Sequence, residues 1–278
     1  MLFGTSLLAI VGTGEQRAMS PRRLCLFNTK TRQSKRDLNF KTSILAVRLN
    51  MKRLVVVLQD RTFVYDLNST TILEEIETVP NTKGVCAFAP NSEECYLALP
   101  ASTSKGSALV YKTSQPELIC QSHSFQRGTY PSTIYSLAFS PSVDLPDVLV
   151  ATSSSGSLHL FFLDAARNGR RQANTLLSSV IPGSVTDALD PANHHVIHNV
   201  VPADIKSCLA VQSVENSQNS SKLPALKTVI YIVTQDGYFR EYVISTTKSN
   251  ESSWLLEREF NFLDAGLSGL KHNEQHTD

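Results

Sequence analysis

Short apolar runs alternate with polar turns along most of this chain, and the runs are too brief for helices. Strand-like segments fall at Leu7–Val11, Arg23–Phe27, Ile44–Leu49, Arg53–Leu58 and Thr62–Leu67. More follow at Gly84–Phe88, Cys95–Leu99, Ala108–Lys112, Ile134–Phe139, Val148–Thr152 and Ser157–Leu163, and a last pair at Thr228–Thr234 and Tyr238–Ile244. They are rich in Val, Ile, Leu, Phe and Tyr. Turn pairs such as Asn28-Thr29, Pro90-Asn91, Ser140-Pro141 and Asp236-Gly237 separate them. A sustained helical period is confined to the stretch from about Asp164 to Asn199. The pattern predicts an all-β chain.

The strands recur in triplets. Ile44-Leu-Ala-Val-Arg, Leu54-Val-Val-Val-Leu and Thr62-Phe-Val-Tyr-Asp make one set, and Gly84-Val-Cys-Ala-Phe, Cys95-Tyr-Leu-Ala-Leu and Ser107-Ala-Leu-Val-Tyr a second. Ile134-Tyr-Ser-Leu-Ala-Phe, Val148-Leu-Val-Ala-Thr and Ser157-Leu-His-Leu-Phe make a third. The sets repeat at on the order of 40–45 residues, the period of a four-stranded propeller blade. With a unit in residues 1–40 and another at about 200–246, the count is five, within the range of roughly 4–8 blades. The WD dipeptide is absent, so the repeat is degenerate. The first unit opens on a strand that reads as the middle of a blade, and the span Lys112–Ser124 is too brief for its place.

Composition narrows the function. In 278 residues, 26 Lys and Arg stand against 25 Asp and Glu, which argues against nucleic-acid binding through bulk charge and leaves room for a local basic site. Cys25, Cys86, Cys95, Cys120 and Cys208 are scattered without a CxxC pair, so neither a zinc ribbon nor a disulfide framework is legible. They read as small buried residues in a reducing compartment. The apolar run in Met1–Gly14 lacks a basic n-region and a cleavage site and is too short to span a bilayer, so it reads as a buried strand. The sequons at Asn68, Asn219 and Asn250 carry little weight without a secretory signal.

The segment Ser124-Phe-Gln-Arg-Gly-Thr-Tyr-Pro-Ser-Thr-Ile-Tyr-Ser-Leu-Ala-Phe-Ser140 carries the most chemistry. Arg127 beside Gly128 pairs a guanidinium suited to bidentate phosphate contact with a backbone that a ligand can approach closely. Downstream, Thr152-Ser-Ser-Ser-Gly-Ser-Leu-His159 offers hydroxyls and an imidazole around a tight turn. The residues alone also fit an ordinary inter-blade turn with a surface arginine.

With these residues in hand, the chain resembles the PROPPINs, seven-bladed propellers that bind phosphoinositides and act in autophagy. Phe125-Gln126-Arg127-Gly128 is similar to their Phe-Arg-Arg-Gly signature, with Thr-Tyr-Pro and Ile-Tyr-Ser-Leu-Ala-Phe following. Leu7-Leu-Ala-Ile-Val-Gly-Thr-Gly, Ser20-Pro-Arg-Arg-Leu-Cys-Leu-Phe-Asn, Ile44-Leu-Ala-Val-Arg, Val79-Pro-Asn-Thr-Lys-Gly and Tyr96-Leu-Ala-Leu-Pro resemble the family as well, plant members best. The likeness runs from residue 2 to about 263 and implies a WD40-like β-propeller with about five recognisable blades of seven.

In that family the two signature arginines serve two lipid sites. The resemblance places the second arginine at Arg127, with Gly128, and its hydroxyl and histidine partners at Thr152, Ser153, Ser157 and His159. The first arginine falls on Gln126, and the blade completing that site is missing near Cys120–Ser122, as is a blade before Met1, so the first site reads as lost. The implied ligands are phosphatidylinositol 3-phosphate and 3,5-bisphosphate. The implied partners are phosphoinositide membranes and the autophagy lipid-transfer protein. The expected location is the cytosol and, peripherally, phagophore assembly-site, endosomal or vacuolar membranes.

The stretch 164–199 corresponds to the family's membrane-facing loop. Arg167, Arg170 and Arg171 beside Leu176, Leu177, Val180 and Ile181 combine cationic and apolar groups, as an interfacial anchor requires, while Pro182-Gly183 prevents one long helix. His194-His-Val-Ile-His198 fits no familiar zinc spacing, so neither a metal nor a cofactor is expected. Gly12-Thr-Gly14 is an incomplete dinucleotide fingerprint. No GxSxG, HExxH or P-loop occurs, so an enzyme is not expected. The reading is one propeller over 1–263, monomeric if folded, with a disordered tail at 264–278. The alternatives are a protein-interaction scaffold without lipid binding, or a non-functional truncated form.

Overall fold

The computed structural model describes residues 5–16, 19–90, 95–113, 119–124, 131–140, 148–162, 194–214, 226–246 and 252–263. The chain divides into two compact units, Met1–Pro131 and Ser132–Asp278. In the first unit, β1 (Leu7–Val11), β2 (Arg23–Asn28) and β3 (Gln33–Asn39) form a three-stranded sheet. Next come two four-stranded sheets: β4 (Ala46–Leu49), β5 (Arg53–Val57), β6 (Arg61–Asp66) and β7 (Ile72–Glu77), then β8 (Ala87–Phe88), β9 (Tyr96–Pro100), β10 (Ser107–Lys112) and β11 (Ile119–Ser124). The second unit holds β12 (Ile134–Phe139), β13 (Val148–Ser153), β14 (Leu158–Phe162) and β15 (His194–Ile197) in one sheet. Its other sheet is β16 (Ser207–Val214), β17 (Leu226–Thr234), β18 (Tyr238–Thr246) and β19 (Ser252–Asn261). Each sheet is an antiparallel meander of sequential strands, the blade unit of a propeller.

Strand alternation explains the continuous apolar runs. On β5, Leu54 and Val56 join Leu24 and Leu26 of β2, whereas Val55 and Val57 join Leu97 and Leu99 of β9. A middle strand covered on both faces favours apolar residues at consecutive positions. Asn50 ties the second and third sheets: its Nδ2 donates to the Ala89 carbonyl at 3.2 Å while its Oδ1 accepts from the Arg53 amide at 2.8 Å. In the second unit, Val148, Val150, Leu158 and Leu160 meet Ile230, Ile232, Tyr242 and Ile244 across one seam. Burying each such side chain fully contributes roughly 1.5–3 kcal/mol.

Several sequence expectations are corrected. The run Gly84–Phe88 pairs only at Ala87–Phe88, because the Asn81 side chain takes both backbone groups of Val85 at 2.9 Å. The last unit does not stop near 246 but adds β19, which pairs with β18. Within 164–199, His194–Ile197 is a strand on β14 rather than part of a helical period; 163–193 lie outside the described residues, as does the expected tail at 264–278. The brief span Lys112–Ser124 holds β11, which completes its sheet. Cys86 and Cys95 are buried, but Cys25 is half-buried and Cys208 exposed, since strand alternation turns them away from the buried Leu24, Leu26 and Ser207.

Candidate functional site

The β13–β14 hairpin separates the sequence-derived site residues onto two faces. Thr152 lies on the seam face with Val148 and Val150, and its Oγ1 accepts a hydrogen bond from Ser207 Oγ of β16 at 2.8 Å. Ser153, Ser157 and His159 alternate onto the opposite face. All three are buried. Ser153 Oγ meets Ser155 Oγ at 2.9 Å, and Ser157 Oγ meets His198 Nδ1 at 3.3 Å.

The turn between them is fixed from three sides. Gly156 sits at φ 74°, and a Cβ there would stand 2.2 Å from the Val201 carbonyl oxygen. That close approach requires glycine. Its own carbonyl accepts from the Val200 and Val201 amides at 3.0 and 3.1 Å, which clamps the β15–β16 connection under the turn. Ser154 bridges to Thr133, donating its amide to the Thr133 carbonyl at 2.9 Å and accepting the Thr133 amide on Oγ at 3.0 Å. Thr133, which lies one residue before β12, is thereby held on this hairpin.

β15 supplies residues that sequence reading treated only as a rejected metal cluster. Its register sets Phe161 opposite His194 and His159 opposite Val196, so His194 shares a face with His159. His159 Nδ1 and His194 Nε2 are 3.1 Å apart, with rings stacked at 13° and Phe161 stacked on His194 at 4.2 Å. His195 points the other way, edge-on to Phe162, and burial holds its imidazole below the ordinary range. The period-two spacing of His194 and His198 was the available signal; Ser155 lies in the hydroxyl-bearing run that the sequence offered, whereas nothing in the sequence singled out Ser207.

Chemically, this face offers hydroxyls and imidazoles, groups that donate to an oxyanion, and no carboxylate enters the hydrogen bonds just described. Among the described residues, no group of three or more His, Cys, Asp or Glu side chains is placed to hold a metal ion. No described helix is long and apolar enough to cross a membrane. Gln126, Arg127 and Gly128 lie outside the described residues, and so do Arg167, Arg170, Arg171, Leu176 and Leu177.

Comparisons with known proteins agree with this architecture. A family model described as PROPPIN matches residues 1–142. Autophagy-related protein 18b of Arabidopsis thaliana is 50% identical over 305 residues, covering 94% of this chain and 83% of that protein. The aligned length exceeds the 278 residues here, so the alignment opens gaps in this chain. Two solved structures share the fold. Kluyveromyces lactis Hsv2 with its complete loop 6CD has a TM-score of 0.50 at 15% identity, covering 94% of this chain and 85% of that one. The β-propeller domain of Myceliophteria thermophila Cps50 (Swd1) has a TM-score of 0.54 at 13% identity, covering 92% and 68%.

Proposed function

The chain belongs to the autophagy-related PROPPIN family of β-propellers, and we propose that it is a non-enzymatic reader of phosphatidylinositol 3-phosphate and 3,5-bisphosphate. The observation that carries this reading is the gathering of Ser153, Ser157 and His159 on one sheet face of the β13–β14 hairpin. Arg127 grips the phosphate bidentately, the hydroxyls and His159 donate to its remaining oxygens, and Gly128 permits close approach. Thr152 acts through the seam beneath. Gln126 adds no charge-assisted contact, so one headgroup is held where two-site relatives hold two. Losing the second contact removes avidity of about 10²–10⁴.

The basic and apolar residues Arg167, Arg170, Arg171, Leu176 and Leu177 supply the second membrane contact, each basic group adding roughly 1 kcal/mol near an anionic surface. The protein then attaches peripherally from the cytosol to phagophore assembly-site, endosomal or vacuolar membranes and recruits autophagy machinery, including the lipid-transfer protein. Calorimetric titration with the soluble headgroup inositol 1,3-bisphosphate tests the reading. A saturable signal lost in Arg127→Ala is expected, and a flat titration of the unaltered protein assigns it to the scaffold alternative.

A further inference from the structure

A cavity of about 370 Å³ opens in the second unit, where the β13–β14 turn, the β15–β16 connection and the β18–β19 hairpin meet. Ser155, Asn199, Arg240, Tyr242, Leu256 and Glu259 contribute to its lining. The volume falls in the range of small-molecule sites, roughly 300–1,000 Å³. Its polar centre is Arg240, whose side chain is only 12% exposed. The Nε of Arg240 donates to Glu259 Oε2 at 3.1 Å, and the guanidinium carbon sits 4.9 Å from the centre of the Tyr238 ring. Arg240 Nη1 is buried and has no hydrogen-bond partner among the described residues.

A guanidinium carries five N–H donors in a planar fork, and a buried charged donor without an acceptor is costly. We infer that this cavity is an oxyanion site in which the Nη edge of Arg240 takes a phosphate or carboxylate group. Glu259 balances the charge while the site is empty. At 39% exposed it is already hydrated, so it yields to a competing anion at little cost. Ser155 and Asn199 add neutral donors to the lining, and the buried Tyr242 supplies a low-dielectric wall that strengthens the charge-assisted contact. This site stands on residues other than Arg127, Ser157 and His159 and does not depend on the headgroup reading.

The test is run in an Arg127→Ala background, so that the headgroup face lacks its charged contact. Inorganic phosphate titrated into this protein by calorimetry is expected to bind saturably. Arg240→Gln should weaken it by roughly tenfold or more, the loss of one charge-assisted hydrogen bond. Glu259→Gln should tighten it, because the competing carboxylate is gone; this second variant keeps a hydrogen-bonding side chain and so guards against misfolding. No saturable binding, binding unchanged in Arg240→Gln, or no tightening in Glu259→Gln overturns the proposal. A parallel arm uses phosphatidylcholine vesicles with and without phosphatidylinositol 3-phosphate. Arg240-dependent flotation identifies a lipid phosphate as the source, and phosphate binding without flotation identifies a soluble one; either result supports the oxyanion site.

Discussion

His159 Nδ1 and His194 Nε2 lie 3.1 Å apart with their rings nearly parallel, which makes β15 part of the wall that sets the His159 ring. One N–H bridges the two nitrogens, so the tautomer of either ring fixes which nitrogen the other presents. Phe161, stacked on His194, fixes the outer ring in turn.

His194→Ala is expected to weaken headgroup binding by about fivefold, the worth of one net hydrogen bond, and to lower stability by about 1 kcal/mol, because His159 Nδ1 loses this partner and Phe161 its stacked ring. His194→Gln, which can still meet His159 Nδ1, should recover part of the loss. Titration calorimetry on the three proteins reads both effects.

The hydroxyls on the two faces of the hairpin should separate cleanly. Thr152→Val removes the acceptor for Ser207 and should lower stability by about 1 kcal/mol with little change in headgroup affinity. Ser157→Ala should do the reverse. Denaturant unfolding and headgroup titration, run side by side, distinguish them.

Gly156 is the position least tolerant of a side chain at this site. Alanine there would carry a positive φ and drive its Cβ against the Val201 carbonyl, so Gly156→Ala should cost more than about 2 kcal/mol. Fluorescence of Trp254, the one tryptophan in the sequence and a residue of β19, reports unfolding of the second unit directly.

What could be read from sequence follows from burial. Middle strands such as β5, β9 and β13 announced themselves because both faces are covered, so each carries a continuous apolar run, Leu54–Val57, Tyr96–Leu99 and Val148–Ala151. Outer strands did not. β3 reads Gln-Ser-Lys-Arg-Asp-Leu-Asn and β7 carries three glutamates; they pair by backbone hydrogen bonds and leave their side chains largely in water, so no apolar pattern marks them. β15 was hidden because 163–193 intervene between it and its partner β14, and its histidines were weighed only as metal ligands and rejected. Likewise Ser153, Ser157 and His159 were legible as a polar cluster on a turn, whereas the assignment of Thr152 to the other face needed the register.

His195 predicts how stability responds to acid. Burial holds its pKa below the ordinary value, so the unfolded chain takes up a proton at higher pH than the fold does. The contribution is complete above about pH 6.5 and is lost as pH falls through the folded value. Denaturation midpoints should therefore fall on acidification, and His195→Gln should flatten that part of the curve.

The most direct test of one working headgroup site is flotation with vesicles carrying increasing surface densities of phosphatidylinositol 3-phosphate. Binding that rises in simple proportion to density and disappears in Arg127→Ala is the expected result. Steep, cooperative recruitment, or recruitment that Arg127→Ala leaves intact, would contradict it.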